Sequence, residues 1–132
     1  MKKKNNIYIL LILSVFWAIM IFVLCILPPG NFHSVRIPYF DKIAHFGIFF
    51  VQSLLLSLFF NFRTRKSYIQ IIFLSTLLAF VYGGLIEILQ SKFFNRSGEF
   101  LDLIADILGA FSGAIIYPTI IRLYRRIVKR DT

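Results

Sequence analysis

Four long apolar runs, separated by short polar stretches, dominate the pattern of hydrophobic and polar positions. They cover roughly residues 7–27, 41–60, 68–90 and 100–121. Each run has about 20 residues, which at ~1.5 Å per residue lets a helix cross a hydrocarbon core about 30 Å thick. Short connections make consecutive helices antiparallel neighbours. The sequence therefore predicts an all-α integral membrane protein, an up-down bundle of four transmembrane helices forming a single domain, 1–132.

The composition supports the membrane class. Of 132 residues, 58% are hydrophobic and 16 are phenylalanine, and the mean hydropathy is +0.78. A soluble domain of this length has too small an interior for so much apolar surface. The net charge of +9 does not indicate a nucleic-acid partner, because the basic residues form short clusters between apolar runs. Cys25 is the only cysteine, which excludes an intrachain disulfide and a cysteine-based zinc site.

The basic residues are divided unequally between the two ends of the predicted helices. Eleven of the 15 lie at the amino terminus, in the middle loop and in the tail. The opposite side carries only Arg36, Lys42, Lys92 and Arg96. Because cytoplasmic loops carry the excess of Lys and Arg, we predict a multi-pass protein of the cytoplasmic membrane with both termini in the cytoplasm. The lysine-rich start resembles a signal peptide, but its apolar run is longer than usual and no typical cleavage site follows, so we expect it to be retained.

Six polar side chains interrupt three of the apolar runs at matching depths. Each run carries a pair spaced three or four residues apart, so that each pair shares one helical face. The pairs are Asp41 and His45, Glu87 and Gln90, and Asp102 and Asp106. Buried ionisable groups are costly in a bilayer and usually face a partner, a cavity or a substrate path. We therefore predict one pocket near the outer interface that joins His45, Glu87, Asp102 and Asp106.

Glycines continue two of these polar faces deeper into the membrane. Gly83 lies on the face of Glu87, while Gly109 and Gly113 lie on the face of Asp106. Glycines let helix backbones approach closely, and the Gly109–Gly113 spacing is the small-x-x-x-small spacing of membrane helix contacts. We expect these contacts to bring the carboxylates face to face.

The polar residues also have plainer interpretations. Asp41 and Asp102 suit the first turn of a helix, where negative charge is favourable, and His45 alone suits a neutral hydrogen bond between helices. Glu87 fits these interpretations less well, because it lies near a helix C-terminus, where the helix dipole repels negative charge. We predict that Glu87 is coupled electrostatically to a cation on the same side, either Arg96 or Lys42.

The same residues resemble the signature of a known membrane protein family. Asp41-Lys42-Ile43-Ala44-His45-Phe46 is similar to the D-K-x-x-H-F motif of the VanZ-like family, and Glu87-Ile88-Leu89-Gln90 to its E-x-x-Q motif. Its later R…D…G pattern is matched by Arg96, Asp102 and Gly109. Asp106 departs from the pattern, since the family usually has asparagine there. The resemblance implies a small multi-helix membrane protein of the cell envelope, linked through the family's namesake to teicoplanin resistance.

Three functions are compatible with these residues. In the first, an outward-facing site binds or modifies a membrane lipid or lipid-linked envelope molecule, through Asp41, Lys42, His45, Glu87, Gln90, Arg96, Asp102 and Asp106. In the second, the protein is an acid–base or metal-dependent hydrolase of a lipid headgroup, with His45, Glu87, Asp102 and Asp106 as catalytic or metal-binding candidates. Carboxylates suit hard divalent cations, and His45 admits zinc or manganese. In the third, the polar groups only join helices. The sequence leaves the ligand, the metal, the existence of an enzymatic activity and the oligomeric state open.

Overall fold

A computed structural model describes residues 2–26, 39–93 and 100–128 of the chain. Within these ranges the chain is helical and contains no strand. The helices are α1 (Lys2–Ile26), α2 (Phe40–Arg63), α3 (Tyr68–Phe93) and α4 (Phe100–Val128). Each includes a stretch that is long and apolar enough to cross a membrane. The predicted all-α bundle of four membrane-spanning helices is therefore confirmed.

The turn between α2 and α3 is closed by hydrogen bonds at both helix ends. Thr64 follows Arg63 in an extended conformation, and its N–H and its hydroxyl both donate to the Phe60 carbonyl oxygen at 2.8 Å. At the start of α3, the Ser67 N–H donates to Gln70 Oε1 at 3.0 Å, and the Gln70 N–H donates to Ser67 Oγ at 3.3 Å. This reciprocal capping satisfies amide groups that a helix start leaves without intrahelical partners.

Large apolar side chains cover the outside of the bundle. Ile12 and Phe16 of α1 are 66% and 63% exposed, and Ile69 and Phe73 of α3 are 79% and 67% exposed. In α1, 11% of the apolar span is buried inside the bundle, and in α4 the buried share is 39%. Soluble proteins rarely expose apolar surface on this scale, whereas lipid tails cover it favourably. α1 is therefore the helix most exposed to lipid, and α4 is the most enclosed.

α2 and α3 form the centre of the bundle, with α1 and α4 on opposite flanks. α2 packs on each of the other helices and most extensively on α4, whereas no Cα atom of the described part of α1 lies within 8 Å of one of α4. One apolar cluster joins all four helices, through Ile21, Cys25, Phe49, Ala79, Ile86 and Ala110. A second cluster lies where α3 begins, with the buried side chains Ile71, Tyr117 and Ile121.

The close contact between α2 and α4 depends on two glycines of α4. A Cβ atom on Gly109 would overlap the carbonyl group of Phe46, and one on Gly113 would overlap that of Phe50. Both pairs of residues are one helical turn apart, so the backbones stay in contact over a full turn. The Gly-x-x-x-Gly spacing therefore holds the first turns of α4 directly against those of α2.

Three side chains attach α1 to the centre of the bundle through backbone carbonyl groups. Trp17 Nε1 donates to the Ile48 carbonyl oxygen at 2.9 Å, and the Tyr82 hydroxyl donates to an α1 carbonyl oxygen at 2.6 Å. Near the end of α1, Gln90 Nε2 donates to the Cys25 carbonyl oxygen at 2.7 Å. Polar bonds of this kind help to join helices where lipid removes the hydrophobic driving force.

Candidate functional site

The ionisable residues predicted from the sequence gather at one end of the bundle, which we call the site end. α2 and α4 begin there, and α3 ends there. The polar residues therefore occupy the first two turns of α2 and α4 and the last two turns of α3, with pairs Asp41 and His45, Asp102 and Asp106, and Glu87 and Gln90.

The deepest polar contact joins His45 of α2 to Asp106 of α4. His45 Nδ1 lies 2.9 Å from Asp106 Oδ1, and the two residues are 4% and 0% exposed. An N–H donated from Nδ1 to the carboxylate fixes the imidazole tautomer and directs Nε2 away from the pair. A histidine held in this way can accept a proton or present a nitrogen to a metal ion.

A second ion pair lies nearer the end of the bundle. Lys42 Nζ donates to Asp102 Oδ1 at 3.0 Å, and their side chains are 23% and 6% exposed. Asp102 also lies in the first turn of α4, where the helix dipole favours a negative charge. The site is therefore graded in depth, from a partly open ion pair to a fully enclosed one.

Asp106 is accommodated by a glycine on α3. Its second oxygen, Oδ2, is buried and has no hydrogen-bond partner in the described parts of the chain. A Cβ atom on Gly83 would lie 2.7 Å from this oxygen, too close for any larger residue unless the carboxylate moves. Gly83 lies one helical turn before Glu87 on the same face. The small residue thus lets α3 cover Asp106 closely and aligns Glu87 beside it.

Two groups of potential metal ligands share His45. The inner group is His45, Glu87 and Asp106, and the outer group is Asp41, His45 and Asp102. In each group, one ligand atom from each residue lies within 4.8 Å of the others. Carboxylate oxygens together with an imidazole nitrogen suit divalent first-row ions. The structure thus brings His45, Glu87, Asp102 and Asp106 into two groups that share His45. The predicted Asp41 is exposed and belongs to the outer group.

Other predicted site residues have different surroundings. Gln90 is 4% exposed, and its amide group donates to α1, so it ties two helices together. Lys42, one of the two expected partners of Glu87, pairs with Asp102, and its predicted coupling to Glu87 stays a prediction. Arg96, the other expected partner, lies outside the described residues.

The sequence interpretation did not single out two side chains that help to position the site helices, Trp17 and Tyr82. Both donate hydrogen bonds to backbone carbonyl groups on a neighbouring helix. The sequence does indicate that both side chains form hydrogen bonds, because an indole N–H or a phenol hydroxyl buried in a membrane helix needs an acceptor. The acceptors are backbone carbonyl groups, however, and the pattern of side chains does not predict which carbonyl group accepts the bond.

The comparisons with known proteins give one family. The VanZ/LLP1 family model matches residues 2–122, a range that contains all the candidate site residues. No curated protein and no solved structure gave a significant match. The chain belongs to the VanZ/LLP1 family, which confirms the predicted resemblance. Together with the four apolar helices, the match makes the chain a VanZ-like multi-pass membrane protein.

Proposed function

We propose that this VanZ/LLP1 family member lies in the cytoplasmic membrane with both termini in the cytoplasm. Its site end then faces outward and binds the polar headgroup of an amphiphilic cell-envelope molecule. The positive-inside rule supports this orientation, because eleven of the 15 basic residues belong to the amino terminus, the region of the turn between α2 and α3, and the C-terminal part of the sequence. The ligand class is a membrane lipid or a lipid-linked envelope molecule, which enters laterally at headgroup depth.

The concentration of charge at one end of the bundle carries this proposal. Four of the six acidic residues of the chain lie there beside a lysine and a histidine. Helix association alone does not require such costly groups. At the opposite end of the bundle, α2 and α3 are joined by a neutral bond from Ser57 Oγ to Ser75 Oγ at 2.9 Å. The charged cluster is therefore better explained by a ligand than by adhesion between helices.

The depth gradient supports a headgroup as the ligand. Lys42 and the first turn of α4 lie at the rim, where an ammonium group and free backbone amides favour anionic oxygens. His45 and Asp106 lie deeper, at 4% and 0% exposure. The exterior of the helices is apolar and suits acyl chains. A molecule with a polar head and lipid tails matches both surfaces.

The His45–Asp106 pair favours a second candidate function, hydrolysis of an ester in the bound headgroup. In this reaction water attacks the ester centre while His45 accepts a proton from the water. The bond from the ester centre to the alcohol oxygen then breaks, and His45 returns the proton to that oxygen. Asp106, hydrogen-bonded to Nδ1 at 2.9 Å, would orient the imidazole and stabilise its charged form. Headgroup binding at the rim would precede this step.

Binding is tested with purified protein in nanodiscs of zwitterionic lipid, titrated with phosphatidylglycerol or a lipid-linked cell-wall precursor and followed by native mass spectrometry. We expect Lys42→Met and Asp106→Asn to weaken binding at least about tenfold, a change of ~1.4 kcal/mol. Asp131→Asn, the same chemical change in the C-terminal tail of the sequence, serves as the control. Equal binding by all variants, with unfolding midpoints unchanged, would favour the purely structural interpretation.

Orientation is tested in a Cys25→Ala background with single cysteines introduced by Lys66→Cys or Asn95→Cys. A membrane-impermeant maleimide applied to intact cells should label position 95 and leave position 66 unlabelled. The opposite pattern would place the site end in the cytoplasm and would contradict the outward-facing site.

The proposal includes a role in resistance to glycopeptide or lipoglycopeptide antibiotics, which the family resemblance implies. Expression of the wild-type protein should then raise the teicoplanin concentration that a susceptible bacterium survives. Asp106→Asn should lose this effect at equal protein abundance in the membrane, whereas Asp131→Asn should keep it. No difference between cells with and without the protein would remove resistance from the proposal and leave lipid binding to be judged separately.

A further inference from the structure

We propose that His45, Glu87 and Asp106 bind one divalent first-row cation, Zn²⁺ or Mn²⁺, between α2, α3 and α4. Each of the three helices supplies one ligand. The inference rests on the proposed function in placing the ion in the inner part of the same site. It extends that function by naming an ion that the site holds beneath the headgroup.

The spacing of the three side chains suits an ion of this size. Zinc lies about 2.0–2.2 Å from nitrogen and oxygen ligands, so ligand atoms around it are separated by roughly 3.4 Å. In the inner group, the candidate atoms lie within 4.8 Å of one another, and His45 Nδ1 and Asp106 Oδ1 are already 2.9 Å apart. Small side-chain rotations would complete the coordination, with the ion displacing the proton that His45 Nδ1 donates to Asp106.

The buried oxygen of Asp106 is an independent indication of a ligand. Asp106 is 0% exposed, one oxygen contacts His45, and Oδ2 has no hydrogen-bond partner among the described residues. A buried carboxylate oxygen without a partner is strongly unfavourable. It lies against Gly83, one turn from Glu87, where a methyl group does not fit without displacing it. An ion between the carboxylates of α3 and α4 would satisfy this oxygen.

The inner group is a better cation site than the outer one. In the outer group, Asp102 is paired with Lys42 at 3.0 Å, and that ammonium group repels a second cation. Asp41, the other outer carboxylate, is exposed. Both carboxylate oxygens of Glu87, in contrast, are shielded from solvent. Low polarity around the inner group strengthens its attraction for a divalent ion.

The ligand set selects among divalent ions. Mg²⁺ and Ca²⁺ prefer oxygen ligands alone, whereas an imidazole nitrogen beside carboxylates suits Zn²⁺ and Mn²⁺. Three protein ligands leave at least one coordination position open, as in zinc sites that bind water or substrate. That position is available to an anionic headgroup oxygen held at the rim by Lys42.

The test uses purified full-length protein in detergent, stripped with a chelator and titrated with Mn²⁺ or Zn²⁺ in the absence of any added lipid. Electron paramagnetic resonance counts free Mn²⁺, and Co²⁺ substitution reports nitrogen and oxygen coordination through its visible absorption. We expect one ion per chain. His45→Gln, Glu87→Gln and Asp106→Asn should each weaken binding by more than about 100-fold. Loss of a residue that only hydrogen-bonds to a metal ligand costs at most about that much.

The controls separate this site from other acidic groups. Asp131→Asn should bind the ion as tightly as the wild type, and Asp102→Asn should retain one ion per chain. If Asp106→Asn does not fold, the two glutamine variants and the Co²⁺ spectrum still decide. Absence of stoichiometric binding to folded wild-type protein would overturn the inference, as would unchanged binding by the folded variants of all three ligands.

Failure of the metal site and failure of the proposed function are distinguishable. Ion binding is measured without lipid, and lipid binding is measured with and without chelator. Ion binding without any lipid binding would contradict the headgroup proposal and keep the metal site. Lipid binding by a protein that binds no ion would contradict the metal site and keep the headgroup proposal.

Discussion

The substitution Gly109→Ala should disrupt the site without altering any ionisable group. The added Cβ would lie 2.9 Å from the carbonyl carbon and from the Cα of Phe46, whereas ordinary contact begins at 3.4 Å. The carbonyl oxygen of Phe46 lies closer still, so α4 must move away from α2 by roughly 1 Å. His45 is adjacent to Phe46, and Asp106 lies one turn before Gly109. The same movement therefore separates the two members of the buried pair.

The expected cost follows from these contacts. Overpacking costs about 1–3 kcal/mol, and loss of the 2.9 Å bond between His45 and Asp106 adds about 1.5–3 kcal/mol. The higher helix propensity of alanine offsets up to about 1 kcal/mol of this loss in folding stability. We expect Gly109→Ala to be less stable by roughly 1.5–6 kcal/mol and to lose tight Mn²⁺ binding.

Unfolding in detergent, followed by circular dichroism, measures the stability, and Mn²⁺ titration of the folded protein measures the site. Gly84→Ala is the matched control, because a Cβ there meets no atom within 4 Å. It should be neutral or slightly stabilising. If Gly109→Ala proves as stable as Gly84→Ala and binds Mn²⁺ normally, close backbone contact does not hold this site together.

Three further substitutions separate the site from the rest of the bundle. Gly83→Ala should weaken Mn²⁺ binding at least about tenfold with a smaller loss of stability, because its Cβ meets the end of the Asp106 side chain; unchanged binding would contradict the inner site. Ser57→Ala removes the bond to Ser75 and should cost about 0.6 kcal/mol in unfolding experiments without affecting Mn²⁺. Tyr82→Phe removes a bond to α1 and should cost about 0.5–1.5 kcal/mol, again with normal Mn²⁺ binding.

The helices and the convergence of the charged residues were predictable because the bilayer supplies strong constraints. A span of fixed thickness sets helix length, and short links alternate helix direction. Depth in the membrane then follows from position in the sequence. His45, Glu87 and Asp106 therefore had to lie at the same level, and helical periodicity placed each on a face shared with other small or polar residues.

The pairing of individual side chains was less predictable, because depth does not determine which helices are neighbours or how each is rotated. Lys42 pairs with Asp102 across the close α2–α4 interface, a contact that the spacing of the polar residues did not single out. Gln90 shares a face with Glu87, yet its amide reaches α1, which packs beside α3 and away from α4. Which helices are neighbours depends on how they pack, and the spacing of polar residues alone does not predict this packing.

The charged residues, whose burial is unfavourable, lie beside the helix contacts that stabilise the bundle. Gly109 and Gly113 give α2 and α4 their closest approach, and the charged residues of α4 lie within the preceding two turns. Helix association in lipid gains from such tight packing, whereas buried carboxylates oppose it unless a proton or cation neutralises them. The contact between α2 and α4 thus offsets the unfavourable burial at the site end. A bound divalent ion would relieve the repulsion between carboxylates of α3 and α4, so occupancy of the inner group should stabilise the fold as well as prepare the site for its ligand.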